Sequence, residues 1–413
     1  MAYNSIRLPQ DLTVYYKHFF PIKPFTKWLS YGTNNRDYLS HRELAFILAG
    51  DVHIRYRSFH DEHSLYKALT STNPEKLDVG AVYNHEPVNH KRHTDYQAVE
   101  RELVFDIDLT DYDPIRNCCK DATVCQKCWK FMVLAVKILD FLLEDMYGFE
   151  ARMWVFSGRR GVHCWVGDRE ARKLTNSERS AIATRFNLFK KNGRCEVTEY
   201  QPKCTKVPCF VQDAFDIAMK DGIFEQMCYE QGWLEDGSLI LEYPYISELL
   251  TKTLNEEVFP NYTTPQERWH MLRGIFDPAY REKLDPKDGL RDIHLQNRDR
   301  YAFIYFVLQR CYPRLDVNVS TGTNHLLKSP FCIHPKTGNV AVPLNLSTIA
   351  DFDVSKCPRI DDVVGELDGL LSEKTKDNEE NEDAKNRKYL AYKHGILAPY
   401  VETFEQFIKA CNS

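Results

Sequence analysis

Apolar positions along the chain outline most of its elements. Leu12, Tyr15, Tyr16 and Phe19 recur at helical spacing and predict a helix over Pro9–Phe20. Val52–Tyr56, Val79–Tyr83 and Leu103–Leu109 are short runs of the kind that form strands. Phe131–Met146 is apolar on most faces and predicts a buried helix ending near Gly148. Met153–Phe156 and Val162–Val166 read as two strands joined by Ser157-Gly158-Arg159-Arg160-Gly161, a hairpin turn with glycine near both ends. From about residue 170 to 310 the period becomes helical, as in Tyr245–Leu254, Gln266–Phe276 and Asp299–Cys311. Strand character returns at Leu315–Val319 and Val340–Leu344. This order predicts an α/β (mixed α+β) domain, residues 1–184 and 303–371, interrupted by a helical subdomain at 185–302.

The tract 372–388, SEKTKDNEENEDAKNRK, has no large apolar side chain. It cannot bury enough surface to offset its ordering entropy, so it predicts a disordered charged linker. Beyond it, in 389–413, Leu397, Tyr400, Val401, Phe404, Phe407 and Ile408 recur at helical spacing. They predict a C-terminal amphipathic helix that packs back on the core.

Composition narrows the picture. The 413 residues are 43% hydrophobic and 13% aromatic, enough for a sizeable core and for two or three domains or one large domain with an insertion. A net charge of −5 excludes nucleic-acid binding by overall basicity, so any such contact needs local basic patches. MAYNSIRLPQD lacks the apolar run of a secretory signal. The most apolar stretch, Phe131–Leu143, contains Lys137 and Asp140 and is too short to span a bilayer. A soluble intracellular protein with no membrane association is the expectation. Thirteen cysteines in that setting point to reduced thiols and a metal site rather than a disulfide framework.

The chemistry concentrates in four segments. In ELVFDIDLTDYD, residues 102–113, Asp106 and Asp108 sit two apart in an apolar run, which on a strand puts both carboxylates on one face. Paired carboxylates repel unless a cation neutralises them, and paired aspartates holding Mg²⁺ against a triphosphate form the core of nucleotidyl-transfer sites. Two solvent-facing residues at a strand end would be the plain alternative. Asp316, in Arg314-Leu315-Asp316-Val317-Asn318, lies in another apolar run and could complete a site for one or two divalent ions.

The turn from Ser157 to Gly161 places Arg159 and Arg160 between small residues, with His163 on the next strand. Guanidinium groups and closely approaching backbone N–H groups suit phosphate oxygens. A basic surface hairpin is the simpler reading of that turn alone. Lys328 and His334 flank Ser329-Pro330-Phe331, which could present both to a triphosphate. Finally, Cys118, Cys119, Cys125 and Cys128 fall within eleven residues. Four thiolates at this spacing suit tetrahedral zinc with no open position, hence a structural motif. Reduced loop cysteines or a CxxC redox pair are the alternatives, and Cys195, Cys204 and Cys209 read as ordinary thiols.

Taken in order, DIDLTDYD, CC-x5-CxxCW, SGRRGVHCWV, RLDVNVS and NHLLKSPFCIHPKTG resemble the small catalytic subunit of archaeal and eukaryotic DNA primases, in its eukaryotic form. YYKHFFP, WLSYG, HRELAF, IRYRSF and DVGAVY agree with it. The resemblance covers roughly residues 8–170 and 300–408; little is recognisable from about 185 to 300. It implies a primase-type catalytic domain with a mixed sheet, in which Asp106, Asp108 and Asp316 hold Mg²⁺ or Mn²⁺, with a structural Zn²⁺ on the four cysteines. It also implies that Ser157, Arg159, Arg160, His163, Lys328 and His334 hold the incoming nucleotide, that Asp78 faces its ribose, and that Glu43 and Arg55 lie around the initiating nucleotide. The implied activity is template-directed synthesis of RNA primers from NTPs on single-stranded DNA in the nucleus. The implied partners are a large iron–sulfur primase subunit and the DNA polymerase alpha complex. Two rival readings stay open: a related DNA-extending or end-joining polymerase, and a non-catalytic zinc-stabilised nucleic-acid scaffold.

Overall fold

A computed structural model describes residues 3–32, 36–188, 207–285, 289–372 and 390–412. The charged tract 373–388, Cys195 and Cys204 lie outside the described residues. The fold is mixed α+β. Its strands are β1 (Arg42–Leu48), β2 (Val52–Arg57), β3 (Lys76–Tyr83), β4 (Ala98–Glu100), β5 (Leu103–Asp108), β6 (Arg152–Phe156), β7 (Gly161–Val166), β8 (Leu327–Lys328) and β9 (Pro343–Leu344). One sheet runs β2-β1-β3-β4 with β8 also on β3, and the other runs β5-β7-β6-β9. There are thus two sheets where the family resemblance implied one mixed sheet. Pairings β1–β2, β1–β3, β3–β4, β3–β8, β6–β7 and β6–β9 are antiparallel.

The chain divides into two compact units. The first comprises Met1–Ile107, Gly148–Thr184 and Leu315–Ser413 and carries the sheets. The second comprises Asp108–Tyr147 and Arg185–Arg314, and its described regular structure past the end of β5 is helical. The cysteine-rich segment and the long helix after it therefore cluster with the helical residues.

The structure departs from the outlined elements at two places. β1, which the hydrophobic pattern does not outline, is one. Arg, Glu, Leu and Ala are good helix formers, yet Arg42–Leu48 is a strand between β2 and β3 with its first six residues buried. Pairing on both edges and burial of both faces override local preference. The second is Leu315–Val319. Leu315 makes a single bridge to Ile107, and Val317–Thr321 is a short helix capped by the Asp316 side chain, which accepts from the Asn318 N–H at 3.2 Å. An aspartate that satisfies the free N–H groups of a turn ends a strand and starts a helix. At 340–344 the strand shrinks to β9, with Val340 bridged to Ile333.

In the first unit a buried ion pair fixes the entry to β5. Arg42 donates to Glu102 at 2.6 Å and to the Tyr31 hydroxyl at 2.7 Å, with both charged side chains fully enclosed. Arg179, also buried, donates to the carbonyl oxygens of Arg101 and Glu102. Side chains that bind backbone carbonyls hold the entry to β5, which among the described strands neighbours β7 alone. The C-terminal helix Ala398–Ala410 buries Val401, Phe404, Phe407 and Ile408, and Phe404 meets Trp28 and Phe331 edge-on.

In the second unit the helix Gln126–Tyr147 packs on Cys209–Lys220 and Ile223–Glu230. Phe224, Trp233, Trp269, Phe303 and Phe306 form an aromatic cluster there. No helix among the described residues is long and apolar enough to cross a membrane.

Candidate active site and metal centre

β5 ends in Asp106 and Asp108, half-buried, with Leu103, Val104, Phe105 and Ile107 fully buried. Alternation along the strand sends both carboxylates off one face. On the neighbouring β7, His163 lies with Nε2 3.7 Å from Asp106 Oδ1. The backbone N–H of Asp316 donates to the carbonyl oxygen of Asp106 at 3.1 Å, so the third aspartate follows the Ile107–Leu315 bridge directly. Asp108 accepts from the Thr110 N–H and hydroxyl at 2.8 and 2.7 Å, which orients it at the strand end.

The phosphate-type turn is built on the β6–β7 hairpin, where Val155 faces His163 and Phe156 faces Val162. Ser157 N–H donates to the Gly161 carbonyl at 2.9 Å, and Gly161 N–H donates to Ser157 Oγ at 3.1 Å. Gly158 has φ +87°, and a Cβ there would sit 2.9 Å from His334 Cβ and 3.2 Å from the Asn339 carbonyl. Only glycine permits that backbone conformation together with that approach. The approach lets a second segment close on the turn. Lys328 Nζ donates to the Ser157 carbonyl at 2.8 Å, and Thr337 Oγ1 donates to the Gly158 carbonyl at 2.7 Å.

The structure therefore brings Ser157, Arg159, Lys328 and His334 to one cationic corner, with Arg160 in the same turn. Burial lowers the Lys328 pKa. Burial, then Lys328 and Arg159, push His334 down to about 3, so its imidazole is neutral at physiological pH. A triphosphate would counter the part of that shift that comes from Lys328 and Arg159.

On the first sheet Asp78 lies opposite Lys328 across β3–β8 and opposite Ala45 across β1–β3. Its pKa is raised by burial, against the pull of Lys328, Lys76, His53 and Arg55. Glu43 is fully buried and satisfied: Arg55 donates to both its oxygens at 3.0 and 3.3 Å, and it also accepts from the Tyr56 N–H and the Tyr83 hydroxyl. Glu43 and Arg55 are thus brought together as a two-pronged pair. Gly80 makes room for them, since a Cβ there would lie 3.1 Å from Glu43 Cβ and 2.9 Å from Leu326.

The four-cysteine group lies in the second unit. One sulfur from each of Cys118, Cys119, Cys125 and Cys128 falls within 4.8 Å of the others. Cys125 and Cys128 sulfurs are 3.8 Å apart, the edge of a tetrahedron with about 2.3 Å metal–sulfur bonds. The surrounding loop is held by groups far away in sequence. Gln231 donates to Cys118 Sγ at 3.2 Å and accepts from the Asn117 and Cys118 N–H groups. Arg116 donates to the Thr123 and Asp121 carbonyls and pairs with Asp113. Burial and the neighbouring Cys125 push Cys119 up to about 11. Burial raises Cys125 as well, but N–H and thiol donors from Cys128 and Cys119 bring it below the ordinary thiol range. A donor set that shares one stabilised thiolate fits a dication. Asp106, Asp108 and Asp316 do not bring one carboxylate oxygen each within 4.8 Å of one another.

Thr337 and His325, which lie in the NHLLKSPFCIHPKTG segment but carry no assigned role in it, and Gln231 and Arg116, which lie outside the quoted motifs, hold or face these groups. His325 is lowered by burial and by Arg101, and it also feels Asp316 and Arg55.

Residues 105–346 match the family model described as DNA primase small subunit. The chain is 73% identical over 413 residues to the DNA primase small subunit of Caenorhabditis elegans, covering all of both chains. It is 37% identical over 417 aligned positions to that of Drosophila melanogaster, covering 99% of this chain and 92% of the relative. To that of Saccharomyces cerevisiae it is 33% identical over 367 positions, covering 87% and 85%. These matches favour a primase over an end-joining polymerase or a scaffold. The chain belongs to the DNA primase small subunit family, nucleotidyltransferases that make RNA primers.

Proposed function

We propose that nucleotidyl transfer takes place at the end of β5, with the incoming NTP held by the Ser157–Gly161 turn and the segment from Lys328 to His334. The observation that carries this reading is the interlock of those two segments through Lys328–Ser157, Thr337–Gly158 and the Gly158–His334 approach, beside Asp106 and His163.

Asp106, Asp108 and Asp316 are the candidate ligands for Mg²⁺ or Mn²⁺, which would activate the attacking 3′-hydroxyl and stabilise the leaving pyrophosphate. Arg159 and Arg160 supply planar donors to triphosphate oxygens, and Lys328 adds a point charge. His163 and His334 donate as charge develops on the leaving group. Asp78 faces the ribose, and the Glu43–Arg55 pair borders the initiating nucleotide. Holding two free nucleotides in register carries an entropy cost that a primed reaction avoids, so initiation uses more protein contacts than extension. Zn²⁺ on the four cysteines is structural. Single-stranded DNA is the template. The large iron–sulfur subunit and the DNA polymerase alpha complex are the partners, and the nucleus is the compartment.

The test is unprimed RNA synthesis on a single-stranded DNA template by the purified chain and its Asp106→Ala variant. Primer synthesis that disappears in a folded variant supports the assignment; near-normal synthesis overturns it.

A further inference from the structure

A second group of metal-type donors lies on the first unit, in the connection between β3 and β4. One donor atom from each of His85, His93 and Asp95 lies within 4.8 Å of the other two. The two imidazoles stack with centroids 3.8 Å apart and planes 11° from parallel. His85 Nε2 is 3.0 Å from both carboxylate oxygens of Asp95.

This arrangement is held from outside the group. Asn84 N–H donates to the Gln97 carbonyl at 3.1 Å, and Gln97 N–H returns to Asn84 Oδ1 at 2.9 Å. Asn84 Nδ2 donates to the Asp95 carbonyl at 2.8 Å. The backbone carrying Asp95 is therefore fixed to the end of β3 before any ion arrives, which lowers the ordering cost of binding. The stacked rings carry their lone pairs in parallel planes, so one imidazole turns about its side-chain bonds for both rings and the carboxylate to share a single dication. Two imidazoles and one carboxylate suit zinc and similar transition ions and suit Mg²⁺ poorly.

We propose that the β3–β4 connection is a divalent transition-metal site in which His85, His93 and Asp95 each supply one donor and a fourth position stays open to water. Its occupation would clamp a loop whose Tyr96 stacks on Tyr83 at 4.3 Å, and Tyr83 in turn donates to Glu43. The site thus borders the wall behind the Glu43–Arg55 pair.

Zn²⁺ is the probe. The purified full chain and a His85→Ala/His93→Ala double variant are equilibrated with Zn²⁺, and bound metal per chain is read by elemental analysis. Loss of one equivalent in the variant is expected; the comparison is independent of the cysteines, which both proteins retain. Asp95→Asn, which keeps the side-chain shape, should weaken that equivalent at least tenfold in a Zn²⁺ titration. Co²⁺ identifies the donors: the lost equivalent should carry weak ligand-field bands without a sulfur charge-transfer band. Equal metal content and affinity in wild type and both variants would overturn the site. So would loss of a sulfur-type band in the double variant.

Discussion

The backbone N–H of Asp316 donates to the carbonyl oxygen of Asp106 at 3.1 Å, tying together two aspartates 210 positions apart in the chain. The bond fixes Asp316 against the strand that carries Asp106, while Asp316 also caps the helix that follows it. The bond sets the two backbones against each other, and the cap bond from the Asn318 N–H orients the Asp316 carboxylate.

Asp106→Ala and Asp316→Ala should each lose several kcal/mol of transition-state stabilisation, on the order of 10²–10³-fold in NTP incorporation. Asp108→Ala should behave alike. Thermal melts close to wild type, together with the lost rate, would separate catalysis from folding. Full activity in any one variant removes that residue from the site.

Arg160→Ala and His163→Ala should raise the NTP concentration needed for half-maximal rate and slow transfer, by roughly 10–100-fold in kcat/KM. Template affinity, read by fluorescence anisotropy of a labelled single strand, should change little. Lost template affinity with intact NTP binding would make the turn a DNA contact.

Removing zinc, or changing Cys125 and Cys128 together to Ser, should lower thermal stability, with activity falling only as the chain unfolds. Elemental analysis and melting curves measured side by side check this. A zinc-free chain of full stability would count against the cysteine set.

Glu102→Ala should cost about 3–5 kcal/mol, because it leaves the enclosed Arg42 guanidinium without its carboxylate. Denaturant titration reads the loss. A cost below about 1 kcal/mol would mean that Tyr31 alone satisfies Arg42.

His334 titrates near 3 in the folded chain, below its ordinary value of about 6.5. Between those values the unfolded chain binds more protons, so this group's contribution to stability falls as pH drops through that window and is constant above it. The stability of His334→Gln relative to wild type should therefore rise on going from about pH 7 to about pH 5. A difference that does not change with pH would place His334 in a solvated setting.

Local chemistry was legible wherever a few neighbouring residues decide it. Asp106 and Asp108 two apart in an apolar run, the glycine-flanked Ser157–Gly161 turn and the four cysteines each announce themselves, because strand alternation, turn conformation and thiolate spacing act over fewer than a dozen residues. The helices of 265–276 and 301–311 are likewise carried by their own period. What tertiary structure decided is everything set by partners distant in the chain. β1 is a strand because β2 and β3 pair with it, against the preference of its residues. Asp316 leaves strand conformation because a cap bond wins over further pairing. Gly158 is needed because His334, 176 residues later, packs against it, and the Cys118 loop depends on Gln231. A backbone conformation has a local energy that sequence encodes, whereas a close approach or a buried hydrogen bond exists only once two separate segments share the same space.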